Sequence, residues 1–409
     1  MTTHHVAHDW RVPFMRPDLP AYDQVSDSIR DTFTSGVLTK GRALELLEAD
    51  AAQCVGALDA VGVSSCTTGL MLVLQALEPL RKRRTACDAP PCGAVSGAGA
   101  TRDEVIVPSF IFLAAPAAIV WAGLRPVFVD VDPSTYTIDP RCVEKAFSPR
   151  TAAVLACHTF GCPSDIGALT SIAEPTGVPV IIDAAHGFGA SRNGRQVGRE
   201  GLAQVFSMSP TKLVVAGEGG VVTTSCRCLA ELIRTAREYG NDGHYDCQIA
   251  GVNGRLPEIS AIVGRASLAR LPEVAKQRSA AAEAYRDVLR DVPGVTLQEI
   301  PQRCSSSWKD FCIGIDPVVT GITRDALREA LAIRGIDTRA YYSPACHAMP
   351  AFRRYAQPGT SLPVTDRLAA SLVALPMGKH VSPHTALLVA EEVRSIVSGR
   401  RGGADGGRD

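Results

Sequence analysis

The stretch Phe206-Ser-Met-Ser-Pro-Thr-Lys212-Leu-Val-Val-Ala-Gly-Glu-Gly-Gly220 carries an apolar segment into a hydroxyl-rich turn that presents a lysine. A Gly-rich bend then leads into Val221-Val-Thr-Thr224. Earlier in the chain, the apolar run Val178-Pro-Val-Ile-Ile182 ends on Asp183, followed by Ala184, Ala185 and His186. An aspartate at the carboxyl end of a buried strand points into the crevice where open α/β sheets bind ligands. A lysine in a desolvated pocket loses its proton more easily and becomes an amine nucleophile. Alone, such a lysine is ordinarily a solvated surface residue, and such an aspartate an N-cap. Their joint placement on successive strand ends is what singles them out.

A Schiff-base lysine and an acid facing a pyridinium nitrogen are what pyridoxal phosphate (PLP) requires of a protein. Its phosphate needs donors converging on one spot, which helix amino termini supply. Ser65-Cys-Thr-Thr68, between a short strand and a helix from Leu70, is such a place, although an ordinary N-cap reads the same way.

Around these segments strand and helix signals alternate. Strands are expected over 60–64, 104–108, 126–131, 152–157, 178–182, 203–207 and 220–224. Several are unbroken apolar runs, as in strands covered on both faces. Helices are expected over 70–80, 113–122, 140–146 and 166–174, giving a mainly parallel seven-stranded sheet between helical layers. Beyond Ile262, helices over 261–271 and 272–289 bridge to a smaller carboxy-terminal α+β unit. That unit should hold a strand over 308–315 and helices over 323–334, capped by Thr323, and 385–398. The expected organisation is a large α/β domain over 1–265, bridging helices and a small domain over 266–399, and a frayed tail over 400–409. Residues 87–101 read as a Gly, Ala and Pro rich surface insertion.

Composition excludes several classes. Lys+Arg and Asp+Glu are 42 each, so no global field favours nucleic acid or an anionic membrane. The run 81–84 is the one dense basic cluster and reads as a helix end. The apolar segment 113–124 contains Pro116 and is too short to span a bilayer. The amino terminus has no secretory-signal pattern, and cytoplasmic location is expected. Thirteen scattered cysteines argue for reduced thiols and against both a disulfide framework and a structural metal.

Further motifs fall in a specific order: Ser35-Gly-Val-Leu-Thr-Lys-Gly41 with Leu47-Glu48, Val63-Ser-Ser-Cys-Thr-Thr-Gly69, Val107-Pro-Ser-Phe-Ile-Phe112 and Pro126-Val-Phe-Val-Asp-Val-Asp132. Asp183-Ala-Ala-His186, Ser207 with Lys212, Gly217-Glu-Gly-Gly220, Gly251-Val-Asn-Gly-Arg255 and Tyr342-Ser-Pro-Ala-Cys-His347 follow. From about Val12 to Val397 the chain resembles the DegT/DnrJ/EryC1/StrS family of sugar aminotransferases, PLP enzymes of fold type I.

The resemblance implies roles for particular residues. Lys212 would form the Schiff base and Asp183 would pair with the ring nitrogen. Cys66, Thr67 and Ser207 would touch phosphate, Cys66 standing where Gly or Ala is usual. Phe112 would stack on one ring face and His186 lie on the other. Asn253 would reach the cofactor phosphate of a neighbouring subunit, making a homodimer with shared sites; Gly254 replaces an aromatic residue common there. Tyr342 and His347 would lie on the substrate side, though either also reads as a packed turn residue. The implied reaction passes an amino group from glutamate to a nucleotide-linked keto-deoxysugar, in amino-sugar or natural-product biosynthesis. A keto-cyclitol acceptor is the alternative. The family's sugar dehydratases carry histidine at the lysine position, so Lys212 argues against one, and Lys212, Asp183 and Ser207 together argue against a non-catalytic regulator.

Overall fold

In the computed structural model, the described residues are 10–82, 102–244, 246–247, 249–356 and 361–399. The 87–101 insertion, the 400–409 tail and the end of the basic run at 83–84 lie outside them.

All seven expected strands form, as β1 (Asp59–Val63), β2 (Glu104–Pro108), β3 (Arg125–Val129), β4 (Thr151–Cys157), β5 (Val180–Asp183), β6 (Ala203–Ser207) and β7 (Gly220–Thr224). They make one sheet in the order β1-β7-β6-β5-β4-β2-β3. Only β7 runs antiparallel to its neighbours, pairing with β1 and β6; the other pairs are parallel.

The unbroken apolar runs arise because both faces are covered. The helices are α1 (Ser26–Ser35), α2 (Arg42–Val55), α3 (Cys66–Gln75), α4 (Ala114–Trp121), α5 (Pro140–Ala146), α6 (Ile166–Ala173), α7 (Arg227–Ala236), α8 (Glu258–Ala269) and α9 (Leu271–Leu289). Val105, Val107 and Ile181 pack on one face with Leu70, Ala118 and Ile233 from α3, α4 and α7. Ile106, Val180 and Ile182, their alternating neighbours, pack on the other with Leu47, Leu169 and Ala261 from α2, α6 and α8.

A second core follows on an antiparallel sheet of β8 (Val295–Leu297), β9 (Phe311–Ile315) and β10 (Leu372–Leu375), in the order β8-β9-β10. Helices α10 (Arg324–Ile333), α11 (Pro363–Ser371) and α12 (Pro383–Gly399) accompany it. Thr323 caps α10 as expected, accepting from Ala326 N–H. The strand expected from 308 starts instead at Phe311, because Trp308 has φ 49 and Lys309 N–H bonds to Phe160 O rather than into the sheet.

The two cores are joined through Asp130, just beyond β3. Its carboxylate accepts from Val364 N–H at 3.0 Å, and from Thr365 N–H at 2.8 Å and hydroxyl at 2.7 Å, capping α11. Cys226 is disulfide-bonded, correcting the expectation of reduced thiols throughout; its position before α7 is buried, away from solvent reductants. Among the described residues no helix is long and apolar enough to cross a membrane.

Candidate active site

Strands β4, β5 and β6 end side by side on Cys157, Asp183 and Ser207. Asp183 is 3% exposed. Its Oδ1 accepts from Ala185 N–H at 2.9 Å and from the Cys66 thiol at 3.8 Å. Burial pushes this carboxyl above the ordinary range, while Ala185 N–H, Lys212 and the Cys66 thiol pull it back. Among the described residues no lysine or arginine forms an ion pair with it, so a buried acid stands without a bonded cation.

Beside it, β1 feeds α3. Ser65 caps the helix by accepting from Thr68 N–H at 3.0 Å, and the Thr68 hydroxyl is bound to Ser64 and Ser65. The first-turn N–H groups of Cys66 and Thr67 have no intrahelical partner and converge with the helix dipole. Gly220 explains the glycine at that position: a Cβ there would lie 2.7 Å from Cys66 N. Because Gly220 is the register partner of Ser207, this close approach brings the Ser207 residue to the start of α3.

Lys212 occupies the turn between β6 and β7, closed by Lys212 N–H to Ser209 O at 3.0 Å and Ala216 N–H to Met208 O at 2.8 Å. The buried run Leu213, Val214, Val215, Ala216 anchors the turn. Burial pulls the Lys212 ammonium down to about 8, assisted by the Lys309 ammonium; Asp310, Asp183 and Cys66 act in the opposite sense. At that value the neutral amine is populated near neutral pH.

His186 is buried, and burial with the neighbouring cations holds it well below its ordinary range, so it is a neutral imidazole. Its Nδ1 is buried with no hydrogen-bond partner. Phe160 stacks on it at 6.5 Å and 15°, and Tyr342 stacks on Phe160 at 5.4 Å. Phe112, 52% exposed, leans on Tyr342 at 6.5 Å. An aromatic row therefore joins the two residues expected to flank a flat ring.

The remaining expected residues are placed differently. His347 is held on both nitrogens: Nδ1 lies 2.7 Å from Ser109 Oγ and Nε2 3.3 Å from Asp366. Its backbone N–H also donates to Ser109 Oγ, which fastens the 342–347 segment beside the Phe112 loop. Asn253 is exposed, in a segment tied to the start of α3 by Ser64 N–H to Gly254 O at 2.8 Å. A Cβ at Gly254 would meet Thr68 at 3.2 Å and Arg237 at 3.3 Å, so the segment approaches α3 closely.

Lys309, Asp310, Phe160 and Ser307 were not anticipated. The only sequence signal for the first two is a charge pair opening an apolar run, Lys309-Asp-Phe-Cys-Ile313. An uncompensated buried acid, an unpartnered imidazole nitrogen, a low-pKa lysine and an open helix amino terminus fit PLP in its ring nitrogen, carbonyl and phosphate.

Residues 22–394 match the model of the DegT/DnrJ/EryC1/StrS aminotransferase family. The chain is 35% identical to dTDP-3-amino-3,4,6-trideoxy-alpha-D-glucose transaminase of Streptomyces venezuelae, over 94% of this chain and 96% of that one. It is 37% identical to the erythromycin biosynthesis sensory transduction protein EryC1 of Saccharopolyspora erythraea, over 74% and 81%. Among solved structures it is similar to DesI, determined in the presence of its TDP-sugar product. The TM-score is 0.85 with 34% identity, covering 97% of this chain and 96% of that one.

Proposed function

This chain belongs to the DegT/DnrJ/EryC1/StrS aminotransferase family and is a PLP-dependent transaminase, and from that premise we propose that it moves an amino group from glutamate to a keto carbon of a nucleotide-linked deoxysugar. The observation that carries the reading is Asp183 at the end of β5 and Lys212 in the turn that follows β6, each sensing the other's charge. The acceptor class is supported by the relatives named for dTDP- and TDP-sugars.

When bound, PLP supplies a carbonyl that condenses with amines and a ring that accepts the electrons released when a neighbouring C–H bond breaks. Lys212 Nζ would be the amine that holds the cofactor's carbonyl carbon in the resting enzyme and, when free, the base that carries a proton at the substrate carbon. Asp183 would face the ring nitrogen and favour its protonated form. Cys66 and Thr67 N–H, with the Thr67 and Ser207 hydroxyls, would hold the phosphate, and Phe112 and His186 would flank the ring, the neutral imidazole adding no charge there.

A homodimer completes the proposal, with Asn253 of one protomer serving the other's phosphate. Val37 and Leu38 are exposed at the start of α8, where Leu38 O accepts from Glu258 N–H. We also place the enzyme in the cytoplasm, as the sequence suggests.

An absorbance scan tests the reading: glutamate should bleach the band of the bound cofactor, and a nucleotide keto-sugar should restore it. The panel should include keto-cyclitols. A band that glutamate leaves unchanged removes the donor assignment, and restoration by cyclitols alone removes the sugar.

A further inference from the structure

Phe160 enters the site from a corner that a side chain of its size rarely occupies. It lies just beyond β4, fully buried, with φ 59, and Gly161 follows with φ 103. A bulky residue in the left-handed region is strained and persists only where its surroundings enforce it. Here they do. Gly161 N–H donates to His158 O and Cys162 N–H to Thr159 O, both at 3.0 Å. A Cβ at Gly161 would lie 2.2 Å from Ser307 Oγ, so the 307–309 backbone packs directly on the corner. Ser307 N–H donates to Gly161 O at 3.3 Å, and Lys309 N–H to Phe160 O at 3.1 Å.

The corner presents a flat ring between two others. Phe160 stacks on His186 at 6.5 Å and 15°, and on Tyr342 at 5.4 Å and 23°. Phe110 meets it edge-on, at 6.1 Å and 83°, and so opposes rotation of the phenyl ring. An imidazole is ordinarily oriented by a hydrogen bond to one of its nitrogens. His186 Nδ1 is buried and has no such partner. Ser307 Oγ donates to His186 O at 2.7 Å, which fixes the backbone there but not the ring. The flat face of Phe160 is what remains to set the imidazole plane. A leucine would fill much of the same space without offering that face, so packing alone does not call for a phenyl ring.

We propose that Phe160 is a positioning residue: it sets the plane of the His186 imidazole and passes the seating of Tyr342 on to that side of the crevice. This rests on the reading of His186 as a wall of the PLP ring.

The test follows PLP binding to the full-length, cofactor-free protein in a double-mutant cycle. Phe160→Leu should raise the PLP dissociation constant by roughly threefold to tenfold, the worth of one aromatic contact. It should also weaken the visible circular dichroism of the bound cofactor at saturation. In a His186→Ala background the same change should cost less than about twofold, because no imidazole is left to position. A merely structural role would weaken binding equally in both backgrounds. If Phe160→Leu does not fold, Tyr342→Leu withdraws the ring on the other side of Phe160. That variant should show the same dependence on His186 by a smaller factor. Equal losses in the two backgrounds, or no loss in the first, overturn the proposal. A His186→Ala variant that binds PLP like wild type removes the ring-wall reading, and the proposal with it. Transaminase chemistry is tested separately by turnover of Lys212→Ala, so the two can fail independently.

Discussion

A lysine of ordinary value 10.5 that burial brings to about 8 has consequences in both folding and chemistry. Between those values the native chain binds fewer protons than the unfolded one, so stability rises with pH across that window; the cost of burying the ammonium is full below 8. Capture of PLP by the cofactor-free protein, followed by stopped-flow absorbance, should accelerate as pH rises and level off above about 8. A flat profile would mean that the amine is not the titrating group. Lys212→Ala should abolish transamination, since the other nearby amine, Lys309, is held by Asp310 at 2.7 Å. Wild-type-like turnover in that variant would remove Lys212 from the mechanism. Asp183→Asn should fold and bind PLP but lose roughly 10²-fold or more in rate, because a neutral amide cannot hold the ring nitrogen's charge. Activity within about threefold of wild type, far short of that magnitude, would show that another residue does so.

At the scale of elements, the start of α3 depends on what packs against it. Gly220→Val places a branched side chain where even Cβ is 2.7 Å from Cys66 N. Overpacking of this kind costs about 1–3 kcal/mol. The PLP dissociation constant should then rise by about tenfold, measured by fluorescence titration; an unchanged constant would mean that the phosphate does not rest on α3. The seven strands were legible because burial on both faces leaves continuous apolar runs, and the end of one of them gave Asp183, whereas Ser207 came from the family resemblance. Helix α2 was not among the expected helices, although Leu44, Leu47, Ala51 and Val55 fall on one helical face, and α1 buries only Thr32 and leaves little periodic signal. Lys309 and Asp310 were not legible as site residues, since their placement comes from backbone bonds to Phe160 and Gly161, distant in sequence. A positive φ at Trp308 that no residue type signals adds to this. His347 could be found by motif, but its bonds to Ser109 and Asp366 depend on the folded arrangement of two segments.

For the whole molecule, the proposed homodimer turns on Asn253, which is exposed on a segment fixed to α3. An isologous dimer would form two shared sites at once. Co-expressing inactive Lys212→Ala with Asn253→Asp, the aspartate setting a negative charge against the phosphate, should restore part of the activity, because one site of each mixed dimer then carries neither change. Asn253→Asp must be inactive by itself, and a verified heterodimer without recovered activity would show that each site is completed within one chain. The bend at Trp308 has an optical consequence as well. Of the three tryptophans, Trp121 is 77% exposed, whereas Trp308 is buried, one residue from Lys309 and one from the Ser307 that bonds His186. Its indole is thus a built-in donor for resonance energy transfer to any chromophore seated against His186. Loading with PLP should quench intrinsic emission in proportion to occupancy, and Trp308→Phe should remove most of that response, giving a reporter of the cofactor that requires no substrate.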